Sequence, residues 1–70
     1  MNLEMDINNF KNDMKKTRLP DFGIACGRIL KIYSHINEVN NVSEDIKSII
    51  RKDLYEEFIK AYPNEMRFYK

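Results

Sequence analysis

A helical hydrophobic pattern between residues 22 and 39 constrains the fold of this chain more than any other feature. Apolar residues recur there at alternating steps of three and four, at positions 22, 25/26, 29, 32/33, 36 and 39, which places them on one side of an α-helix. On a helical wheel the apolar arc is about 180° wide and runs from Val39 and Ile32 round to Leu30. A helix with so wide an arc needs cover on two sides, so we predict a central helix over residues 22–38.

A first helix is predicted over residues 3–16. Its apolar side chains fall within about 60° of the wheel; they are Leu3, Ile7, Phe10 and Met14. So narrow a seam favours packing against a single neighbour. Asn2 is a candidate N-cap, Pro20 interrupts the pattern, and Asp21 can cap the central helix.

A third helix is predicted over residues 43–62, with either Ser43 or Asn41 as its N-cap and Pro63 ending it. Its core stripe is expected to follow steps of four, through Ile46, Ile50, Leu54, Phe58 and Tyr62. Such a stripe drifts by about 40° per step around the helix, so this helix must cross its neighbours at an angle. The remaining residues are expected to form a short tail or a helical turn that has Pro63 in its first turn.

These elements predict one all-α domain over residues 1–70, a small three-helix bundle. The chain has a single cysteine, so no disulfide within the chain can staple it, and a reducing cytoplasm is the expected compartment. The amino-terminal residues lack the basic and apolar regions of a signal peptide. Arg28 and Lys31 interrupt the most apolar window, so no membrane span is expected.

No reactive constellation stands out in the sequence. Cys26 and His35 are the only members of their kinds, and nine residues apart on one helix they lie about 180° from each other. We expect Cys26 to be a buried structural residue and His35 to be a surface residue. An acidic cluster at Asp53, Glu56 and Glu57 is best explained as a solvated helix face. No catalytic, cofactor-binding or metal-ligating residues are therefore predicted.

The second half of the third helix and the tail carry more apolar and aromatic surface than the core of a three-helix bundle needs. We predict that this surface binds a partner protein, or a second copy of the chain, through six residues: Tyr55, Ile59, Tyr62, Met66, Phe68 and Tyr69. The partner-binding hypothesis makes the chain a non-enzymatic inhibitor, adaptor or immunity-type regulator. Nine isoleucines, eight lysines and eight asparagines suggest an AT-rich genome, typical of low-GC bacteria and their phages.

Gly23 and Gly27 form a G-x-x-x-G pattern within the central helix. Each glycine costs about 1 kcal/mol relative to alanine unless close packing repays it. We expect the first or the third helix of the same chain to pack there, in preference to a second copy.

The alternative function is nucleic-acid binding by a basic surface. That surface would consist of Lys11, Lys15, Lys16, Arg18, Arg28 and Lys31. The net charge is only +1 and no aromatic residues interleave with these bases, so stacking on single strands is not supported. Stabilisation of a helix C-terminus is the simpler interpretation of the run.

Overall fold

The computed structural model describes residues 3–67 and folds them into four helices. They are α1 (Leu3–Met14), α2 (Phe22–Glu38), α3 (Glu44–Ala61) and α4 (Pro63–Met66). The three long helices pack against one another, and no strand occurs within residues 3–67. The predicted all-α three-helix bundle is therefore confirmed, and α4 is the helical turn expected after Pro63.

The long helices run up, down and up. Asp6 near the start of α1 faces His35 near the end of α2, and Asp13 near the end of α1 pairs with Arg28. The last residues of α2 likewise meet the first turns of α3, where Lys47 Nζ donates to the carbonyl oxygen of Asn37. Each helix is therefore antiparallel to the one before it, and the bundle has two distinct ends.

Side-chain caps begin two of the helices. Asp21 Oδ2 accepts from the backbone N–H of Gly23 at 3.1 Å, and Ser43 Oγ accepts from that of Ile46 at 3.3 Å. Capping satisfies N–H groups that have no partner within the helix. Of the two candidates for the third helix, Ser43 is thus the N-cap and Asn41 is not; Asn2 lies outside the described residues.

The core draws on all three long helices. Its buried members are Phe10, Met14, Ala25, Ile29, Ile32, Ile36, Leu54, Phe58 and Tyr62. The expectation that α1 packs against a single neighbour is wrong, because α1 contacts both α2 and α3. Phe10 and Met14 are long enough for a narrow seam to fill the space between two helices.

The predicted core stripe of α3 is wrong at its first position. Ile46 is 51% exposed, whereas Lys47 is only 9% exposed. A stripe that follows steps of four rotates around the helix, so one that faces the core at Phe58 has turned away from it three positions earlier along the stripe, at Ile46. Lys47 occupies the core-facing position because its aliphatic stem packs there while its Nζ reaches Asn37.

The apolar arc of α2 is covered only in part. Ala25, Ile29 and Ile36 are buried, but Leu30 at one edge of the arc is 63% exposed. The arc was expected to be covered on both sides by the other two helices. α1 and α3 meet α2 on its inner side, so the edge at Leu30 remains open. None of the helices between residues 3 and 67 combines the length and the apolar character that a membrane-spanning helix requires.

Candidate protein-binding groove

An open apolar groove of about 340 Å³ lies where α2, α3 and α4 meet. It is lined by Phe22, Cys26, Ile29, Leu30, Tyr33, Tyr55, Phe58 and Met66. Leu30 and Tyr55 are largely exposed at its rim, while Ile29 and Phe58 are buried at its floor. We refer to these eight residues as the α2–α3 groove.

Stacked aromatic rings form the floor of the α2–α3 groove. The Phe22 and Phe58 rings lie 5.6 Å apart between centroids, and Tyr62 contacts both, at 5.4 and 5.3 Å. Phe10 continues the stack from α1, 6.4 Å from Phe58. Packed rings at these distances attract one another beyond the area that they bury. The floor is therefore held in place by the core.

The polar atoms of the α2–α3 groove are few, and one of them already has a partner. The Tyr33 hydroxyl donates to the backbone oxygen of Arg51 at 3.3 Å. Burial and the neighbouring Tyr55 raise the pKa of Tyr33 above its ordinary value of 10.0, so the phenol stays neutral at physiological pH. The accessible surface of the groove is almost entirely apolar.

The predicted partner-binding residues divide between this groove and other places. Tyr55 and Met66 line the groove, while Ile59 is half-buried on α3 and lies outside its lining. Tyr62 is only 6% exposed, and its hydroxyl donates to the carbonyl oxygen of Pro20 at 2.5 Å. Including Tyr62 in an exposed face was wrong, because the drifting stripe of α3 turns its ring into the core. Phe68 and Tyr69 lie outside the described residues.

Only two of the eight groove residues, Tyr55 and Met66, were predicted from the sequence to bind a partner. Phe22, Cys26, Leu30 and Tyr33 belong to α2, whose apolar residues were all assigned to the core. The width of the apolar arc was the one feature of the sequence that indicated this wall of the groove, because Leu30 lies at the extreme edge of the arc. Cys26 is half-buried in the groove wall.

A second groove, between α1 and α3, is larger but charged. It measures about 450 Å³ and includes Lys11, Lys52, Asp53 and Glu56, and Lys11 forms a salt bridge with Asp53 across it. Ile49, which is 67% exposed, lies at this groove. Charged groups are depleted at the centres of protein interfaces, so the α2–α3 groove is the better candidate.

Gly23 and Gly27 do not serve as a packing site within the chain. A Cβ atom added at Gly27 would meet nothing within 4 Å, and one at Gly23 would meet only the Asp21 carboxylate at 3.3 Å. The expectation that α1 or α3 packs closely there is therefore wrong. The inner side of α2 faces both helices, and the two glycines lie on the outer side.

The basic residues are dispersed and partly neutralised. Lys11 pairs with Asp53, while Lys16 and Arg28 both pair with Asp13, at 2.8 and 3.0 Å. Lys15 and Arg18 are exposed near the end of α1. Lys31 faces the separate groove between α1 and α2, beside Asp6 and Asp13. The structure therefore does not gather the six bases into one field.

The reactive side chains are kept apart. Cys26 lines the α2–α3 groove, whereas His35 faces α1, with its Nδ1 3.9 Å from Asp6 Oδ2. Within residues 3–67, no three histidine, cysteine or acidic side chains are grouped so that they could hold a metal ion.

No protein-family model, curated protein or solved structure matches this chain. Function is therefore inferred from the chain's own residues and their geometry.

Proposed function

We propose that this chain is a small non-enzymatic regulator that binds another protein through the α2–α3 groove. The single observation that carries the proposal is an open apolar groove on a floor of packed rings, with Leu30 and Tyr55 exposed at its rim. Aromatic and large aliphatic side chains around a pocket are typical of the energetic centres of protein interfaces. The floor is preorganised, which lowers the entropy lost on binding.

The partner proposed for this groove presents an amphipathic helix. The groove runs between two antiparallel helices, and a third helix packs readily into the space between two others. Because the Tyr33 hydroxyl is already bonded to Arg51, the partner's inserted side chains should be aliphatic or aromatic. Inhibitors, adaptors and immunity-type proteins act in this way, by covering a surface of a larger enzyme or complex.

The proposed setting is the cytoplasm of a low-GC bacterium or its phage. The single cysteine suits a reducing compartment, and the abundance of isoleucine, lysine and asparagine suits an AT-rich genome.

The test uses two substitutions of one kind at exposed apolar positions. Tyr55→Glu places a charge in the α2–α3 groove, and Ile49→Glu places one in the separate groove between α1 and α3. Immobilised wild-type protein should retain a host protein, identified by mass spectrometry, that Tyr55→Glu loses at least tenfold and Ile49→Glu retains. Equal retention by all three proteins, or none by wild type, would refute the proposal.

Cys26 provides an independent readout, because it is the only cysteine and it lines the groove. Alkylation of Cys26 by a maleimide should slow several-fold when the captured partner is bound. An unchanged rate with the partner at saturation would place the interaction elsewhere on the molecule.

The alternative function, nucleic-acid binding, has one supporting observation: Lys15 and Arg18 are exposed together at the end of α1. Phosphate contacts by these bases would make any affinity for DNA or RNA fall steeply between 50 and 200 mM salt, by a factor on the order of 10 or more. Binding that is undetectable at low salt, or that does not respond to salt, removes this alternative.

A further inference from the structure

The outer side of α2 carries a stripe of residues beside the α2–α3 groove. Gly23, Gly27, Leu30 and Ser34 follow one another at steps of four, three and four, so they lie along one line of the helix surface. All four are exposed, and the space above Gly27 is open. The α2–α3 groove begins at Leu30, so the stripe extends the apolar groove across the outer side of α2.

The four residues of the stripe are spaced symmetrically about its centre. Gly27 and Leu30 are equally distant from the midpoint between residues 28 and 29, and so are Gly23 and Ser34. In an antiparallel pair of α2 helices centred on that midpoint, the Leu30 side chain of each copy packs over Gly27 of the other. This contact occurs twice, as two-fold symmetry requires.

The charges of the bundle favour the same orientation. Its exposed acids concentrate at the end where α2 finishes and α3 begins; they include Glu4, Glu38 and Asp45, while Glu44 is paired with Arg51. At the opposite end, where α1 finishes and α2 begins, the exposed bases include Lys15, Arg18 and Lys60, while Lys16 is paired with Asp13. Asp21 and Glu65 at that end offset part of the positive charge. An antiparallel second copy sets each acidic end against a basic end, whereas a parallel copy opposes like charges.

We propose that a second copy of this chain covers the groove face, with its α2 antiparallel to that of the first and Leu30 over Gly27. The inference rests on the proposed function, because the second copy covers the same α2–α3 groove and the partner protein must displace it to bind there. The two-fold axis places the α2–α3 groove of one copy beside that of the other. A stable interface needs roughly 800 Å² from each partner, so the second copy must contact the groove residues of α3 and α4 as well as the stripe.

The first experiment measures the mass of the full chain by sedimentation equilibrium. Wild-type protein should pass from 8.4 kDa towards twice that mass as its concentration rises, and the dissociation constant should increase several-fold from 50 to 500 mM salt. Gly27→Leu should remain monomeric. At a concentration low enough for both proteins to be monomeric, its unfolding midpoint should equal or exceed that of wild type, because leucine has the higher helix propensity and has room at this position. Asn8→Leu adds the same side chain to an exposed position of α1 and should dimerise like wild type.

The second experiment tests the orientation by cross-linking in a Cys26→Ser background. Gly23→Cys and Ser34→Cys proteins should form a disulfide when mixed, whereas Ser34→Cys alone should not, since its two copies lie roughly 16 Å apart along the helix. Cross-linking of Ser34→Cys to itself would overturn the antiparallel arrangement.

A wild-type chain that stays monomeric, or a Gly27→Leu protein that dimerises normally, would overturn the inference. The proposed function fails separately, when capture of a host protein does not depend on Tyr55. A monomer that still shows Tyr55-dependent capture therefore refutes only the second copy.

Discussion

Two leucines show how the environment of a single side chain decides its role. Leu54 on α3 is fully buried, whereas Leu30 on α2 is 63% exposed at the rim of the groove. Burial of a leucine side chain contributes about 1.5–3 kcal/mol, and deleting one from a packed core adds the cost of a cavity. The same residue type is therefore structural at position 54 and available for recognition at position 30.

We expect Leu54→Ala to lower the free energy of unfolding by about 2–5 kcal/mol. Leu30→Ala is the matched control and should change it by less than about 0.5 kcal/mol, since its side chain loses little buried area. Urea unfolding of both variants, followed by circular dichroism at micromolar concentration, gives the comparison. Similar losses in the two variants would show that the exposure of Leu30 has been misjudged.

Residues close to each helix end determine where the helix begins and ends. They do not determine how the helix is rotated about its own axis. α2 occupies the predicted residues 22–38, and α3 begins and ends within one residue of its predicted bounds. Asp21, Ser43 and Pro63 mark these ends by bonds or ring geometry within a few residues of the chain. Helix bounds of this kind can be predicted from sequence.

The N-cap of α3 can be tested by substitution, because the sequence allowed both Ser43 and Asn41 as candidates. Ser43→Ala should cost about 1 kcal/mol, within a range of roughly 0.5–2 kcal/mol, by removing the acceptor for the Ile46 N–H. Asn41→Ala should leave the free energy of unfolding nearly unchanged. Thermal or urea unfolding distinguishes them, and the reverse order would assign the cap to Asn41.

The whole molecule is held together partly by the hydroxyl groups of half-buried Tyr33 and buried Tyr62, which bond the helices to other segments. Tyr33 bonds to Arg51 across α2 and α3, and Tyr62 bonds to Pro20 in the α1–α2 connection. The pKa of each phenol lies above its ordinary value of 10.0, mainly because burial disfavours the phenolate and, for Tyr62, because Asp21 adds negative charge. Folding thus favours the protonated form of both tyrosines.

The direction of these shifts predicts alkaline sensitivity. A folded-state pKa above the unfolded one contributes stability that is complete below the unfolded pKa of about 10 and is lost as pH rises through the folded pKa. We therefore expect the free energy of unfolding to fall as pH rises above about 10. The double variant Tyr33→Phe, Tyr62→Phe should show a shallower fall. Identical pH profiles for the variant and wild type would contradict these shifts.

The α2–α3 groove was predicted only in part. Tyr55 and Met66 could be selected because they exceed what the core of a three-helix bundle needs. Tyr62 could not be separated from them, since its place depends on how far α3 has rotated by its last turn. The α2 wall of the groove, at Cys26, Leu30 and Tyr33, followed from no local signal except the width of the apolar arc.

By itself, the sequence determined the number of long helices, their bounds to within two residues and the cap of α2, because hydrogen bonds and helical periodicity act over three or four residues. The tertiary structure alone decided which face of each helix was covered. It put Lys47 inside and Ile46 outside, buried Tyr62, and left Gly27 and Leu30 open. The reason is that rotating a helix about its axis changes none of its own hydrogen bonds. That rotation is chosen by the packing of all three helices together.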